Sequence, residues 1–182
     1  MAQPRLNFRG VTALLVDRNS YCRSIISQML RGFGLTHMHA CGSGEEAKKL
    51  LKETYIDMIL VEAELPDMLG SDLIKWIRQE QKEPLRFVPI LVLSGYTQMR
   101  MLESVRDSGA NLVLKKPLSC QALFDRLAWL ARTPRAYIEA GHYVGPDRRF
   151  RDLPPPGGEY RRDTDEQPAE TSEPAIAEET TP

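Results

Sequence analysis

The sequence predicts a parallel α/β fold, and three observations carry the prediction. Apolar runs at residues 11–16, 56–62, 88–93 and 112–114, with a more polar candidate strand at 36–40, alternate with segments whose apolar residues recur at helical spacing. The inner runs are apolar at nearly every position, as strands covered on both faces are. The runs also end in chemistry: Asp17, Glu62, Ser94 and Lys116 stand at or just past the ends of the first, third, fourth and fifth, the edge where parallel sheets place their functional groups.

Taken in order, residues 11–16 form a strand. Asp17-Arg18-Asn19-Ser20 then offers capping side chains to a helix carrying Ile25, Ile26, Met29 and Leu30. Gly32 and Gly34 stop that helix, and residues 36–40 form an edge-like strand. Ser43-Gly44-Glu45-Glu46 has capping-box spacing, so a helix is expected over 44–53 with Ala47, Leu50 and Leu51 inward. Residues 56–62 are the third strand, followed by a loop holding Pro66 and Gly70 and a helix with Leu73, Ile74 and Ile77. Residues 88–93 are the fourth strand, closed by Ser94-Gly95, and Met99, Leu102 and Val105 mark the next helix. Residues 112–114 lead into Lys115-Lys116-Pro117, and residues 119–132 form a last amphipathic helix. Five βα units with right-handed crossovers give a flavodoxin-like three-layer sandwich around a parallel five-stranded sheet.

Composition divides the chain into an N-terminal segment 1–10, this α/β domain at 11–132, an arginine-rich segment 133–162 and an acidic terminus 163–182. The net charge of −1 does not mark a bulk nucleic-acid or membrane binder. The last twenty residues are rich in Asp, Glu, Pro and Thr, lack Lys and Arg, and are expected to be disordered. With no leader-like or membrane-length apolar run, the chain is expected to be cytoplasmic. Cys22, Cys41 and Cys120 form no CxxC pair. His37, His39 and His142 make no ligand set, so buried or half-buried thiols and no metal are expected.

With Asp17, Glu62, Ser94 and Lys116-Pro117 at successive strand ends, residues 11–132 resemble the receiver domain of two-component response regulators of the chemotaxis type. In that family two acids after the first strand and an aspartate after the third hold Mg²⁺, and the aspartate accepts a phosphoryl group. The hydroxyl after the fourth strand and the lysine after the fifth read the phosphate and change the surface of the fourth helix and fifth strand. Here Asp17, Ser94 and Lys116 match, whereas Arg18 replaces the second acid and Glu62 the acceptor. Leu69 stands where an aspartate usually precedes the loop glycine, Gly70, and Val113 replaces the switch aromatic. Asp57 is no substitute acceptor, because it begins its strand at the opposite edge. Mg²⁺ wants hard oxygen ligands in near-octahedral geometry, and a guanidinium beside the site opposes it. The resemblance with these departures implies a pseudo-receiver, unphosphorylated and held near one conformation. Alternatively, the charges merely satisfy one another, with the same consequence for phosphorylation.

Beyond residue 132, Gly145-Pro146-Asp147-Arg148-Arg149 is echoed by Gly157-Gly158-Glu159-Tyr160-Arg161-Arg162, with Pro154-Pro155-Pro156 as a stiff spacer between them. Arginine forks onto guanine O6 and N7 and stacks on the base. A carboxylate can accept from the opposite guanine edge, glycine admits close backbone approach, and tyrosine offers a stacking face. This segment resembles the arginine-rich extension of receiver-like proteins that bind cyclic di-GMP. That resemblance implies that Arg148, Arg149, Arg161 and Arg162 hold two guanines or a stacked dimer of the messenger. Asp147 would read a guanine edge, with Tyr143, Phe150, Arg151 and Tyr160 nearby. It also implies docking on a protein partner, a flagellar-motor or chemotaxis component, through the fourth helix, fifth strand and fifth helix, in motility or attachment control.

Two other readings stay open: a phosphorylation-dependent single-domain regulator, and a pseudo-receiver that works by protein contacts alone with the arginine segment as linker. Nucleic acid ranks last as a target, because acids flank the arginines. Ser94 has no histidine base and no catalytic constellation emerges, so neither enzyme activity nor a cofactor is expected.

Overall fold

The structure is a computed structural model that describes residues 8–95, 99–133, 135–141 and 143–147, except for the side chains of 99–102. Five parallel strands, β1 (Thr12–Val16), β2 (His37–Cys41), β3 (Met58–Glu62), β4 (Ile90–Ser94) and β5 (Leu112–Lys115), form one sheet in the order β2-β1-β3-β4-β5. Helices α1 (Ser20–Gly32), α2 (Gly44–Glu53), α3 (Gly70–Glu80), α4 (Met99–Asp107) and α5 (Cys120–Arg132) follow the strands in turn, and a short 3-10 turn, Leu85–Phe87, precedes β4. This is the flavodoxin-like three-layer sandwich that the sequence predicts.

The strand pleat sorts the core into two layers. Leu14, Val16, Ile59, Val61, Ile90 and Val92 pack with Ala47 and Leu51 of α2 and Leu73, Ile74 and Ile77 of α3. Their neighbours Ala13, Leu15, Leu60, Leu91 and Leu93 pack the other way, with Ile26 and Leu30 of α1 and Leu123 and Leu127 of α5. Burying both faces explains why these strands read as continuous apolar runs. The polar β2 lies at an edge with His37 exposed.

The helix starts follow the capping residues. Asn19 Oδ1 accepts from the backbone N–H of Tyr21 and Cys22 at 2.9 and 3.2 Å. Ser43 Oγ accepts from Glu46 N at 3.3 Å, while the Glu46 carboxylate reaches back to Gly42 N at 2.9 Å. Ser119 caps α5 through Ala122 N. The third strand is shorter than its apolar run, because Asp57 leaves it: its carboxylate accepts from Thr12 N at 2.8 Å, at the edge away from Glu62. Cys41 is buried and Cys22 half-buried, and burial beside Glu46 pushes the Cys41 thiol up to about 11. Cys120 is exposed, contrary to the expectation for the set.

Past α5 the structure holds an element that the sequence does not announce. Strands β6 (Tyr137–Ala140) and β7 (Tyr143–Pro146) pair antiparallel, with Gly141 at φ 59° in the turn. Four-residue strands are too short to be told from linker by pattern. This pair owes its order to packing: Tyr137 Oη accepts from Asn111 Nδ2 at 3.1 Å, and Glu139 pairs with Arg86 at 2.9 Å. Gly109, at φ 97°, lies so close that a Cβ there would meet the Val144 carbonyl at 2.4 Å. The compact unit therefore runs Met1–Arg148 and takes in the hairpin, beyond the composition break after residue 132. Residues 1–7, His142, the remaining arginine segment and the acidic terminus lie outside the described residues. Among the described residues, no helix is long and apolar enough to cross a membrane.

Candidate functional site

Because β1, β3, β4 and β5 run parallel in register, with Val16 beside Val61, Glu62 beside Leu93 and Ser94 beside Lys115, their carboxyl ends share one edge. Asp17 follows β1 and is fully buried. Lys116 follows β5, and its backbone N–H donates to the Ser94 carbonyl at 2.7 Å, which aims the side chain inward. Its Nζ lies 2.6 Å from Asp17 Oδ2 and 3.0 Å from Glu62 Oε1, bridging the two carboxylates.

The other two carboxylate oxygens are also engaged. Asn19 N donates to Asp17 Oδ1 at 2.8 Å and Arg18 N to Glu62 Oε2 at 3.0 Å. The Arg18 side chain is half-exposed, with Nε 3.8 Å from Glu62 and a terminal nitrogen 3.8 Å from Glu64. Arg23 donates to the Asp17 carbonyl. Burial by itself would lower the Lys116 ammonium, but the hydrogen bonds it donates to Asp17 and Glu62 outweigh that and hold the group above its ordinary value. The site offers two carboxylates, both occupied by nitrogen donors, and a guanidinium where a third acid would stand. That donor set does not fit Mg²⁺, which requires about six oxygen ligands near 2.0–2.1 Å. No cluster of three or more potential metal ligands occurs among the described residues.

The loop after β3 is pinned from both ends. A Cβ at Gly70 would meet the Glu62 carbonyl at 2.3 Å, so glycine is required for α3 to begin against the strand end. Asp67 accepts from Gly44 N and Glu45 N at 2.9 and 2.8 Å, at the start of α2. Slight burial would raise the Asp67 carboxyl, but these backbone donors prevail and hold it below its usual value. Leu69, at the N-cap of α3, gives no side-chain cap and is exposed. Val113 packs half-buried against the α2–α3 core.

Asp17, Arg18, Glu62, Ser94 and Lys116 are thus brought to one place, as their strand-end positions predict. Glu64 and Arg23 join them unannounced; Glu64 sits in the loop between Glu62 and Gly70, where an acid after a strand end is the available signal, whereas Asp67 of the same loop binds the start of α2 instead. Of the residues expected to contact the ligand, two are described. Tyr143 is half-buried, its hydroxyl donating to the Pro146 carbonyl at 2.8 Å, and Asp147 N donates to the Ala136 carbonyl at 2.8 Å. Arg148, Arg149, Phe150, Arg151, Tyr160, Arg161 and Arg162 lie outside the described residues.

Three comparisons place this architecture. Sensory/regulatory protein RpfC of Xanthomonas campestris is 29% identical over 132 residues, 72% of this chain, and the chain spans 18% of that protein's length. Chemotaxis protein CheY-3 of Vibrio cholerae is 27% identical over 119 residues, covering 65% of this chain and 90% of that protein. The receiver domain of sensor histidine kinase PA1611 from Pseudomonas aeruginosa, solved with magnesium in its active site cleft, superposes with a TM-score of 0.60 at 28% identity, over 66% of this chain and 98% of that one. The family model of the response regulator receiver domain matches residues 13–128, from the second residue of β1 to within α5. On that match and that sheet order, the chain belongs to the response regulator receiver domain family.

Proposed function

We propose that this chain is a non-enzymatic signalling adaptor in which the receiver fold serves as a docking scaffold rather than a phosphorylation switch. The observation that carries the reading is the Lys116 ammonium bridging Asp17 and Glu62 while the remaining oxygen of each carboxylate accepts a backbone N–H. Glu62 carries its carboxylate one methylene further out than aspartate, toward where a transferred phosphoryl group would lie, and Arg18 supplies fixed positive charge beside it. A site so filled has no need of metal or phosphate to hold one conformation. Beryllofluoride with Mg²⁺, followed by amide NMR, is expected to give no saturable shifts around Glu62 and Ser94. Metal-dependent saturable shifts would instead establish the phosphorylation-dependent regulator.

In this reading the arginine segment is the input. Tyr143, Asp147, Arg148, Arg149, Arg151, Tyr160, Arg161 and Arg162 bind cyclic di-GMP, and the surface of α4, β5 and α5 docks a protein partner in motility or attachment control, a chemotaxis or flagellar-motor component. A few bidentate arginine–guanine contacts at about 1–3 kcal/mol each outweigh an ordering cost of about 2–5 kcal/mol. Micromolar affinity, about −8 kcal/mol, is then within reach. Calorimetric titration of the full-length protein at physiological salt is expected to give saturable binding selective over GTP and lost in Arg148→Ala/Arg149→Ala. Absence of binding would leave a pseudo-receiver acting by protein contacts alone.

A further inference from the structure

The two edges of the hairpin differ. Asp147 N donates to the Ala136 carbonyl at 2.8 Å, and the register sets Ile138 opposite Gly145 and Ala140 opposite Tyr143. Main-chain groups alternate in direction along an antiparallel strand, so Ala136, Ile138 and Ala140 face β7, while the N–H and C=O of Tyr137 and Glu139 point the other way. The same alternation turns Val144 and Pro146 outward on β7. That edge is closed. Pro146 has no N–H to offer, and β7 lies so tightly against the α4–β5 connection that a Cβ at Gly145 would meet the Gly109 Cα at 2.7 Å. The edge of β6 is open. Glu139 and Ala140 are exposed where Val144, Gly145 and Pro146 are buried, and among the described residues no backbone hydrogen bond joins Tyr137 or Glu139 to a residue beyond the hairpin.

Outward main-chain groups on an exposed strand are a template for a further strand. The sequence here favours another copy of itself. Arg135, Tyr137 and Glu139 alternate along the open edge, so a two-fold axis through Tyr137 pairs that residue with its counterpart and sets Arg135 of each copy opposite Glu139 of the other. Each outward donor then meets an acceptor, in about six backbone hydrogen bonds, and opposite charges face each other at both ends of the pairing. Such an isologous contact is complementary by symmetry alone. We infer that the open edge of β6 is a self-association surface, on which two copies of this chain pair their β6 strands antiparallel into one continuous sheet. Stable interfaces bury about 1,200–2,000 Å²; strands this short cover less, so the pairing is reversible and forms as concentration rises. It is independent of the ligand proposed above.

Two substitutions at one position separate the main chain from the side chain. Glu139→Pro deletes an outward N–H without touching the hairpin ladder, because Glu139 stands opposite Val144 in a non-hydrogen-bonded pair. Glu139→Ala removes the same carboxylate, and with it the bond to Arg86, but keeps the N–H. In sedimentation velocity the full-length protein is expected to pass from monomer to dimer with rising concentration. Glu139→Ala should do so somewhat less readily, and Glu139→Pro should need about tenfold more protein or more. Amide exchange followed by NMR across a dilution series locates the contact, with the Tyr137 and Glu139 amides protected only in the dimer. A protein that stays monomeric, or a dimer that Glu139→Pro leaves intact, would overturn the inference. So would protection of both amides at every concentration, which would mean that another segment of the same chain already lies along the edge. Should Glu139→Pro unfold more easily than Glu139→Ala, the wild-type exchange data decide alone.

Discussion

Replacing Lys116 by methionine is expected to destabilise the protein by about 3–5 kcal/mol, the cost of leaving one member of a buried ion pair without its partner. The size follows from where the charges sit. Asp17 is fully buried, and its Oδ2 oxygen relies on Nζ at 2.6 Å, while Glu62, 12% exposed, loses its 3.0 Å contact. Two carboxylates would then face each other across a mostly dry site, stabilised by one backbone N–H each and, for Glu62, by the half-exposed Arg18 guanidinium at 3.8 Å. Asp17→Asn in the same background removes one of the stranded charges and should recover part of the loss, which urea denaturation of the four proteins of the cycle would measure.

The pH dependence has a definite sign. The folded-state Lys116 ammonium is held above its ordinary value of 10.5, so its contribution is complete below that value and disappears as pH rises through the higher folded value. The wild-type protein should lose stability in that alkaline window, and Lys116→Met should not show this component. A loss below about 1 kcal/mol, the range of exposed pairs, would mean that water already screens the network and that Lys116 does not hold the site in one state.

The sheet was legible because its chemistry is redundant: continuous apolar strands, capping residues at Asn19, Ser43 and Ser119, and functional side chains at four strand ends all require the same parallel order. The charge cluster was legible for a related reason, since residues at the carboxyl ends of adjacent parallel strands must converge wherever they lie in the sequence. The hairpin after α5 was not. Tyr137–Ala140 and Tyr143–Pro146 carry no pattern beyond a turn glycine, and what orders them is a surface made by residues some thirty to sixty positions earlier: Arg78, Arg86, Gly109 and Asn111. Arg78 is the least legible of these. It occupies an inward position of α3 beside Ile74 and Ile77, where an arginine reads as a break in the apolar face.

That arginine governs the second large effect. Arg78 is fully buried, and its guanidinium donates to the Gly109 carbonyl at 3.1 Å, the Arg86 carbonyl at 2.7 Å and Asn111 Oδ1 at 3.1 Å, with the Tyr137 ring 5.1 Å away. Burial pushes the guanidinium below its ordinary value, and the neighbouring tyrosines oppose that. Arg78→Met keeps the length of the side chain and removes its donors. Two opposing effects follow. Methionine avoids the desolvation of a buried charge, and apolar replacements of buried ionic groups can be neutral for that reason. But it strands two backbone carbonyls at about 1–3 kcal/mol each, while Asn111 Oδ1 keeps its bonds from Ile90 N and, at 3.3 Å, from the Tyr137 hydroxyl. Guanidinium is weakly hydrated to begin with, so the stranded acceptors should dominate, with a net loss of about 2–5 kcal/mol. The loss should also be local: Tyr137 and the Gly109–Val144 contact rest on Arg78, so amide exchange of β6 and β7 should accelerate before that of β1 and β3. Tyr137→Phe, which removes one hydroxyl, should cost only about 1 kcal/mol and speed the same amides less. Unchanged stability and unchanged hairpin exchange in Arg78→Met would show that water replaces the guanidinium at those carbonyls, and that the hairpin is held by Arg86–Glu139 and the glycine contact instead.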